Sequence, residues 1–427
     1  MKVAFHTLGC KVNQLESQWL EELFSKRGYQ VCDFNSCCDI YIINTCCVTK
    51  TSEDKCLKAV RRARRLNPSS VIALTGCFSQ LNSDIIESRV KADIIIGTKN
   101  RAALPSLVEE CLKNSNSIKH IEPALTNQIF EEIEPTVFSR TRAGIKIEDG
   151  CDNFCSYCII PYARGPVRSM AFDRVLSLIC ELSEKGYKEI VLTGIQISSY
   201  GKSSSPPLID LLEAVEKIDG DFRIRLGSLN PLLFDSDFTK RFKVLKKVCP
   251  HIHLSLQSGC DSTLKRMNRK YTTDQYYSVL TNLRQAIPDV SLTTDIITGF
   301  PGESDNDFEQ SLAFVKKCGF LHCHVFPYSE RPGTAAASMP DSIDEGIRQS
   351  RAKKMSAAAL ESKKAVFASY VDAVFPVLFE NEVKEGIFFG HSPNYIPIEA
   401  YGHNLSNKVL NVKISDFTDE KCLGTIL

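Results

Sequence analysis

Short apolar runs rich in valine and isoleucine alternate along this chain with longer stretches whose apolar positions recur every three or four residues. In residues 1–113 the runs Lys2–Leu8, Ile40–Asn44, Val71–Thr75 and Ile94–Ile96 predict strands. Gln14–Lys26, Ser52–Leu66 and Ser83–Val90 predict helices between them. Such alternation covers a parallel sheet with helices. Residues 114–136 break the pattern. Lys113-Asn114-Ser115-Asn116-Ser117 is polar, Glu131-Glu132-Ile133-Glu134-Pro135 is acidic, and neither has an amphipathic period, so a linker is expected. From Arg142 the alternation resumes. Ala143–Ile147, Glu189–Gly194, Phe222–Leu226, His251–Leu256, Ser291–Ile297 and Leu321–Phe326 predict six strands. Asp173–Lys185, Leu208–Lys217, Ser236–Val248, Thr273–Gln285 and Ser304–Lys317 predict the helices between. Right-handed crossovers curl such units into an open, partial (β/α)6 barrel of the TIM type. A long polar helix over Ser342–Ala365 closes it. The tail predicts a small β-domain from Val374–Glu380, Gly386–Gly390, Ile396–Ala400 and Val409–Ile414. The expected class is α/β, in units 1–113, 114–136 (linker), 137–366 and 367–427.

Composition narrows the setting. At 427 residues the chain has room for two to three domains. Apolar and charged fractions of 43% and 24% are those of a soluble globular protein. No apolar run reaches membrane-spanning length, and Met1-Lys2-Val3-Ala4-Phe5-His6-Thr7 is too short and polar for a secretory signal, so a cytoplasmic protein is expected. Eighteen cysteines in that compartment argue for metal or thiol chemistry over disulfides. Most outside motifs, such as Cys180 and Cys249, read as small buried hydrophobes. A net charge of +1 announces no global nucleic-acid field. Residues 1–113 are mildly basic, with 16 Lys and Arg against 12 Asp and Glu, and residues 367–427 are acidic, with 4 against 8. A nucleic-acid surface is therefore expected at the front of the chain, where Arg61, Arg62, Arg64 and Arg65 end a predicted helix. These bind phosphates or form a solvated helix end.

Asp149-Gly150-Cys151-Asp152-Asn153-Phe154-Cys155-Ser156-Tyr157-Cys158 carries the sharpest chemistry. Its C-x3-C-x2-C spacing places Cys151, Cys155 and Cys158 on one short loop, after the first barrel strand and hence at the face where such barrels put their chemistry. Three thiolates hold three irons of a 4Fe-4S cube and leave the fourth open. This spacing resembles the signature of the radical S-adenosylmethionine enzymes, whose cofactor fills the open position through its amino and carboxylate groups. Structural zinc is the alternative and needs a fourth ligand from elsewhere. A second triad is more diffuse. Cys10, Cys46 and Cys77 each follow a predicted strand, two of them directly after a glycine, and carboxyl ends of parallel strands are where ligands gather. A second cube fits them. Cys47 and Cys56 are competitors, and a coincidence of buried cysteines is the other reading.

The segments Thr7-Leu8-Gly9-Cys10-Lys11-Val12-Asn13-Gln14, Asn44-Thr45-Cys46, Thr75-Gly76-Cys77 and Gly150–Gly165 resemble the methylthiotransferase family, as do His253–Asp261, Gly299–Glu303 and His324–Ser329. The resemblance runs in order along nearly the whole chain, and its opening is most similar to the branch acting on threonylcarbamoyladenosine in tRNA. It implies two 4Fe-4S clusters, an auxiliary one on Cys10, Cys46 and Cys77 and a radical-generating one on Cys151, Cys155 and Cys158. It implies S-adenosylmethionine as source of a 5′-deoxyadenosyl radical and of the methyl group, and a C2 methylthio product on an adenine beside the anticodon. Such a loop base leaves its stack at small cost. It also implies a TRAM-like tail, an electron donor such as flavodoxin or ferredoxin, and a monomer without membrane attachment.

Other positions carry paired readings. Tyr157, within the cluster loop, is expected to contact the cofactor. Gly194 lets backbone approach the cofactor amino group, and Gln257 and Ser258 end the fourth strand where its ribose or carboxylate would lie. Asp295 faces the barrel interior as a cofactor contact or a structural carboxylate. Arg164 and Arg168 pair with a cofactor carboxylate, a tRNA phosphate or solvent. His251 and His253 are expected to put only one ring inward. Gly299, Pro301 and Gly302 form a turn. Asn230 stands where relatives often carry glutamate, and Phe388, Phe389 and Tyr395 are RNA-stacking or core aromatics. The alternative functions are methylthiolation of isopentenyladenosine in tRNA, methylthiolation of a ribosomal-protein aspartate, and an iron-sulfur electron-transfer protein.

Overall fold

The structure is a computed structural model and describes residues 1–114, 116–125, 129–134, 141–202 and 206–427. The first apolar runs become β1 (Lys2–Thr7), β2 (Gln30–Cys32), β3 (Ile40–Thr45), β4 (Val71–Gly76), β5 (Ile94–Ile96) and β6 (Ile118–His120). They form one parallel sheet in the order β2-β1-β3-β4-β5-β6. Every residue of β3 and β4 is buried, because helices cover both faces. Those helices are α1 (Lys11–Lys26), α2 (Lys50–Leu66), α3 (Cys77–Arg89) and α4 (Leu104–Asn114). α1 starts three residues before the predicted helix. Its first turns bury Asn13, Glu16 and Ser17, so polarity hides them from an amphipathic reading. β6 lies inside the stretch expected to be linker. It is an edge strand with exposed Lys119 and His120, which leaves no apolar run to recognise. Residues 115, 126–128 and 135–136 of that stretch, Ser115 and Pro135 among them, lie outside the described residues.

The second part supplies β7 (Ala143–Lys146), β8 (Glu148–Asp149), α5 (Ile160–Arg164), β9 (Arg168–Ser169), α6 (Phe172–Glu184), β10 (Glu189–Thr193) and α7 (Leu208–Glu216). It continues with β11 (Arg223–Leu226), β12 (Ser228–Leu229), α8 (Ser236–Phe242), β13 (His251–Leu254), α9 (Asp261–Arg266) and α10 (Thr273–Ala286). β14 (Ser291–Thr298), α11 (Asp305–Cys318), β15 (His322–Pro327) and α12 (Glu345–Ser369) complete it. β7, β10 and β11 pair in parallel, as do β12, β13, β14 and β15. Only Gly227 separates β11 from β12, so the two arcs make one six-staved partial barrel. Among the described residues no pairing joins β15 to β7, and the barrel stays open. α1 packs across that first stave. Leu15 belongs to the barrel core, and a Cβ on Gly144 would sit 2.7 Å from its Cδ2. Helix α1 therefore bridges the N-terminal sheet and the barrel core.

The tail is a closed barrel, β16-β17-β18-β20-β19, built from β16 (Val374–Lys384), β17 (Ile387–His391), β18 (Pro397–Tyr401), β19 (Val409–Phe417) and β20 (Cys422–Ile426). Phe379, Phe388, Ile398, Val412 and Ile414 fill it. Arg223 and Arg225, on β11, donate to the carbonyls of His391, Ser392 and Pro393 and pin it against the central barrel. Among the described residues no helix is long and apolar enough to cross a membrane.

Candidate active site

The C-x3-C-x2-C loop leaves β8 and is held from both ends. Gly150 has φ +88°, and a Cβ there would collide with the Pro166 carbonyl, so the turn requires glycine. The Cys151 amide donates to Gly165 O at 3.1 Å. Ser156 ties the loop to the end of α9 through its amide to Met267 O at 3.1 Å and its hydroxyl to Arg266 O at 2.7 Å. Arg269 Nη1 donates to Cys155 Sγ at 3.4 Å. Burial pushes the free thiols of Cys151 and Cys158 up to about 11 and 12, so metal binding at pH 7 has to release their protons.

The other triad is assembled from three strand ends. Cys10 follows β1 and caps α1, Cys46 follows β3, and Cys77 follows β4 and opens α3. Gly9 and Gly76 turn the chain at φ +103° and +101°. A Cβ on Gly9 would lie 2.9 Å from Cys46 Sγ, which shows how closely the first two ends approach. Asn13 fastens them. Its amide nitrogen donates to Leu8 O at 2.8 Å and Thr45 O at 3.1 Å. Cys47 contacts Cys77, while Cys56 points its Sγ at Cys46 O. Both are buried, so proximity alone does not remove them as competitors.

Each triad suits an iron-sulfur cube by its donor chemistry. Each offers three thiols, a glycine-turned approach, and a guanidinium N–H on one sulfur: Arg164 Nε on Cys77 Sγ at 3.3 Å, and Arg269 on Cys155. Guanidinium donors favour an anionic sulfur. Among the described residues no three His, Cys, Asp or Glu side chains converge as one metal ion requires. A single zinc gathers its ligands at about 2.0–2.3 Å from one point, whereas a cube takes one thiolate on each of several irons.

A buried charge network joins the two triads. Glu16, on α1, meets Arg101 at 2.6 Å, Arg164 at 2.8 Å and Lys146 at 3.8 Å, all four side chains wholly buried. Asp149, two residues before Cys151, meets Arg164 at 3.0 Å and Lys146 at 3.2 Å. Arg164 also donates to Asn13 Oδ1 at 2.7 Å. It is thus fully committed inside the protein, which overturns its expected pairing with a cofactor carboxylate or phosphate. Arg168 is likewise buried, donating to the carbonyls of Arg164 and Pro166. Sequence could not expose this network, because its members come from five separate segments.

Two adjoining cavities open between the triads. The larger, about 680 Å³, is lined by Cys10, Lys11, Gly194, Asp295, five histidines and Tyr395 among others. The smaller, about 220 Å³, is lined by Tyr157, Cys158, Gln257 and Asp295, with Val48 and Thr49 from the loop after Cys46. Asp295 and Phe326 belong to both walls. Gly194 is required sterically, since a Cβ there would stand 2.6 Å from Glu148 Oε2. Gln257 takes φ +72°. Ser258 does not line either cavity; its hydroxyl accepts from the Cys260 amide at 3.3 Å. Asp295 accepts from His253 Nε2 at 3.2 Å, and its carboxyl is held below its usual range despite burial, His253 being the chief cause. His251 and His253 both line the larger cavity and both reach Thr293 Oγ1, at 3.1 and 3.0 Å. The expectation that only one faces inward was wrong: residues two apart on a strand share a face. Asn230 caps the turn Pro231–Leu233 through the Leu232 amide. Phe388 is core, Phe389 packs on His391, and Tyr395 enters the cavity. Arg64 is tied to Asp93 at 2.6 Å, leaving Arg61, Arg62 and Arg65 exposed.

Residue Glu148 escaped the sequence reading. It is buried, its Oε2 accepts from the Gln196 amide at 2.6 Å, and its Oε1 has no partner among the described residues. Burial is the main reason its carboxyl is pushed up to about 8. Its position three residues before Cys151 was the available signal.

The fold has solved counterparts. The radical S-adenosylmethionine methyltransferase TsrM from Kitasatospora setae superposes with a TM-score of 0.56 over 79% of this chain and 77% of that one, at 13% identity, a likeness of fold. Residues 145–315 match the Radical SAM superfamily, and residues 2–97 match Uncharacterized protein family UPF0004. The threonylcarbamoyladenosine tRNA methylthiotransferase MtaB of Bacillus subtilis (strain 168) is 36% identical over 96% of this chain and 93% of its own length. Its namesake from Thermotoga maritima is 37% identical over 98% and 95%. A tRNA-2-methylthio-N(6)-dimethylallyladenosine synthase from Pelotomaculum thermopropionicum is 34% identical over 94% and 89%. The chain belongs to the methylthiotransferase family of radical S-adenosylmethionine enzymes.

Proposed function

We propose that this protein adds a methylthio group to C2 of N6-threonylcarbamoyladenosine in tRNA, next to the anticodon. The observation that carries the reading is the pair of adjoining cavities, with Cys10 of one triad on one wall and Cys158 of the other on the next. In this reading Cys151, Cys155 and Cys158 hold the cluster that receives S-adenosylmethionine, and Cys10, Cys46 and Cys77 hold the auxiliary cluster that presents sulfur. Bound together, cluster and S-adenosylmethionine supply one-electron chemistry that breaks an unactivated C–H bond, which acid-base groups cannot do. The chain's own residues set the geometry. Arg269 and Arg164 donate to one sulfur of each triad, Tyr157, Gln257 and Asp295 wall the cofactor side, and Gly194 keeps the backbone clear. The Glu16–Arg164–Asp149 network fixes one triad relative to the other. Lys11 and the five histidines put hydrogen-bonding groups on the wall of the larger cavity, which a threonylcarbamoyl group can engage and a dimethylallyl one cannot. The enzyme works in the cytoplasm as a monomer, with a flavodoxin or ferredoxin as donor.

The test is anaerobic reconstitution, iron counting, and incubation with S-adenosylmethionine, reductant and tRNA carrying either threonylcarbamoyladenosine or dimethylallyladenosine. Nuclease digestion and mass spectrometry should find a methylthio gain on the former. Intact clusters and cofactor cleavage without that gain overturn the assignment. Cys10→Ala, Cys46→Ala or Cys77→Ala should abolish sulfur insertion while cofactor cleavage persists.

A further inference from the structure

Lys11 directly follows Cys10 and lines both the 680 Å³ cavity and a neighbouring one of about 470 Å³. Among the described residues its amine makes no hydrogen bond and no ion pair. Glu21, on the wall of the 470 Å³ cavity, makes no ion pair with it, and the other acidic groups around it are already committed. Glu189 holds Arg223 and Arg225 at 2.6 Å each, Glu380 holds His391 at 2.5 Å, and Asp295 holds His253. Lys363, the other lysine of the cavity wall, gives its amine to Glu420 O at 3.0 Å. Lys11 is therefore a cation whose neighbours leave it without a counter-charge, aimed into a space large enough for a nucleoside.

Beside it stands Tyr395, contributed by the C-terminal barrel and near enough to interact electrostatically. Its ring is stacked between His251 at 4.6 Å and His391 at 4.5 Å, with the Arg225 guanidinium 4.6 Å from the ring centroid. Its backbone sits at φ +68°, a conformation a bulky side chain keeps only when its surroundings impose it. The Arg142 guanidinium stands 5.6 Å from the ring centroid, and among the described residues the hydroxyl donates to no acceptor, which leaves the phenolic proton free to donate. A bare ammonium next to a fixed O–H donor is a receptor for an oxyanion.

We propose that Lys11, with the Tyr395 hydroxyl, binds the free carboxylate of the N6-threonylcarbamoyl group and thereby selects that nucleoside over one with an uncharged N6 substituent. The proposal rests on the substrate reading above. A backbone phosphate of the tRNA is the other oxyanion such a pair would accept. No covalent step is involved. Lys11 is a specificity residue, and Tyr395 positions the carboxylate.

The experiment uses reconstituted holoenzyme and three tRNAs, carrying threonylcarbamoyladenosine, its carboxylate methyl ester, or dimethylallyladenosine. Wild type, Lys11→Met, Lys11→Arg and Tyr395→Phe are compared, with iron counted in each. Esterification should cost the wild type about 10- to 100-fold in kcat/KM, mostly through KM, the usual worth of a hydrogen bond to a charged group. Lys11→Met should lose a similar factor on the acid and show an acid-to-ester ratio near one. Lys11→Arg should restore part of the ratio, and Tyr395→Phe should lower it less than Lys11→Met. If the wild type uses acid and ester equally, or Lys11→Met still prefers the acid, the carboxylate assignment falls while the substrate reading stands. If Lys11→Met weakens all three tRNAs alike and flattens the salt dependence by about one charge, Lys11 holds a phosphate and the proposal is overturned. Turnover of the dimethylallyl tRNA alone overturns the substrate reading and the proposal together. The ester arm needs only wild-type protein, so loss of the auxiliary cluster in a Lys11 variant leaves the proposal testable.

Discussion

Glu16→Gln keeps the shape of the residue at the centre of the charge network and removes its charge. In the native protein Arg101 Nη1 lies 2.6 Å away, Arg164 Nη1 2.8 Å and Lys146 Nζ 3.8 Å, with no exposure on any of the four side chains. Burial by itself raises the Glu16 carboxyl, but Arg101, Arg164 and Lys146 together bring it from 4.5 down to about 2. A fall of that size corresponds to about 3 kcal/mol of stabilisation at pH 7. Breaking a buried ion pair on one side costs a similar ~3–5 kcal/mol, because the cations remain uncompensated. Glu16→Gln should therefore lower the stability of metal-free, reduced protein by about 3 kcal/mol at pH 7, read from the first transition in urea. A depressed carboxylate stabilises the fold above 4.5, and that contribution drains away as pH falls towards 2. The gap between the two proteins should accordingly narrow below pH 4.5. Equal stability at pH 7, or a gap that widens in acid, would refute the reasoning. The same substitution removes the partner that Arg164 holds while it donates to Cys77.

Two further outcomes follow from the cluster side of the barrel. Gly194→Ala puts a methyl 2.6 Å from Glu148 Oε2 and 2.8 Å from its carbonyl oxygen, so it should cost about 1–3 kcal/mol and weaken S-adenosylmethionine binding in equilibrium dialysis. Glu148, raised to about 8, has the opposite sign from Glu16. Its contribution to stability is present below 4.5 and lost as pH rises to 8, so Glu148→Gln should gain on wild type across that range, by at most about 5 kcal/mol, in melts of metal-free protein. A difference that does not vary with pH would dismiss the buried-carboxylate account.

Sequence made the strand-helix alternation legible because parallel strands buried on both faces are continuous apolar runs, as β3, β4 and β5 are. It missed β2, β6, β8, β9, β12 and β20, short or edge strands whose patterns are mostly polar or broken. The C-x3-C-x2-C loop needed no tertiary information, since its three cysteines lie within eight residues. The other triad was readable only as three strand ends. Which of Cys46, Cys47 and Cys56 faces Cys10 and Cys77 depends on how each loop leaves its strand.

The sequence by itself determined the order of elements, the parallel sheets and the C-x3-C-x2-C set of thiols, because those depend on local periodicity and spacing. The tertiary structure decided what the charged residues do. Arg164 looked like a free cation after the cluster loop and is instead buried against Glu16, Asp149 and Cys77. Lys11 looked like one more residue of a motif and is instead a cation without a partner among the described residues, in a cavity that the C-terminal barrel helps to close. A charge acts through what lies within a few ångströms of it in a medium of low polarisability, and neighbours from distant segments exist only once the chain has folded.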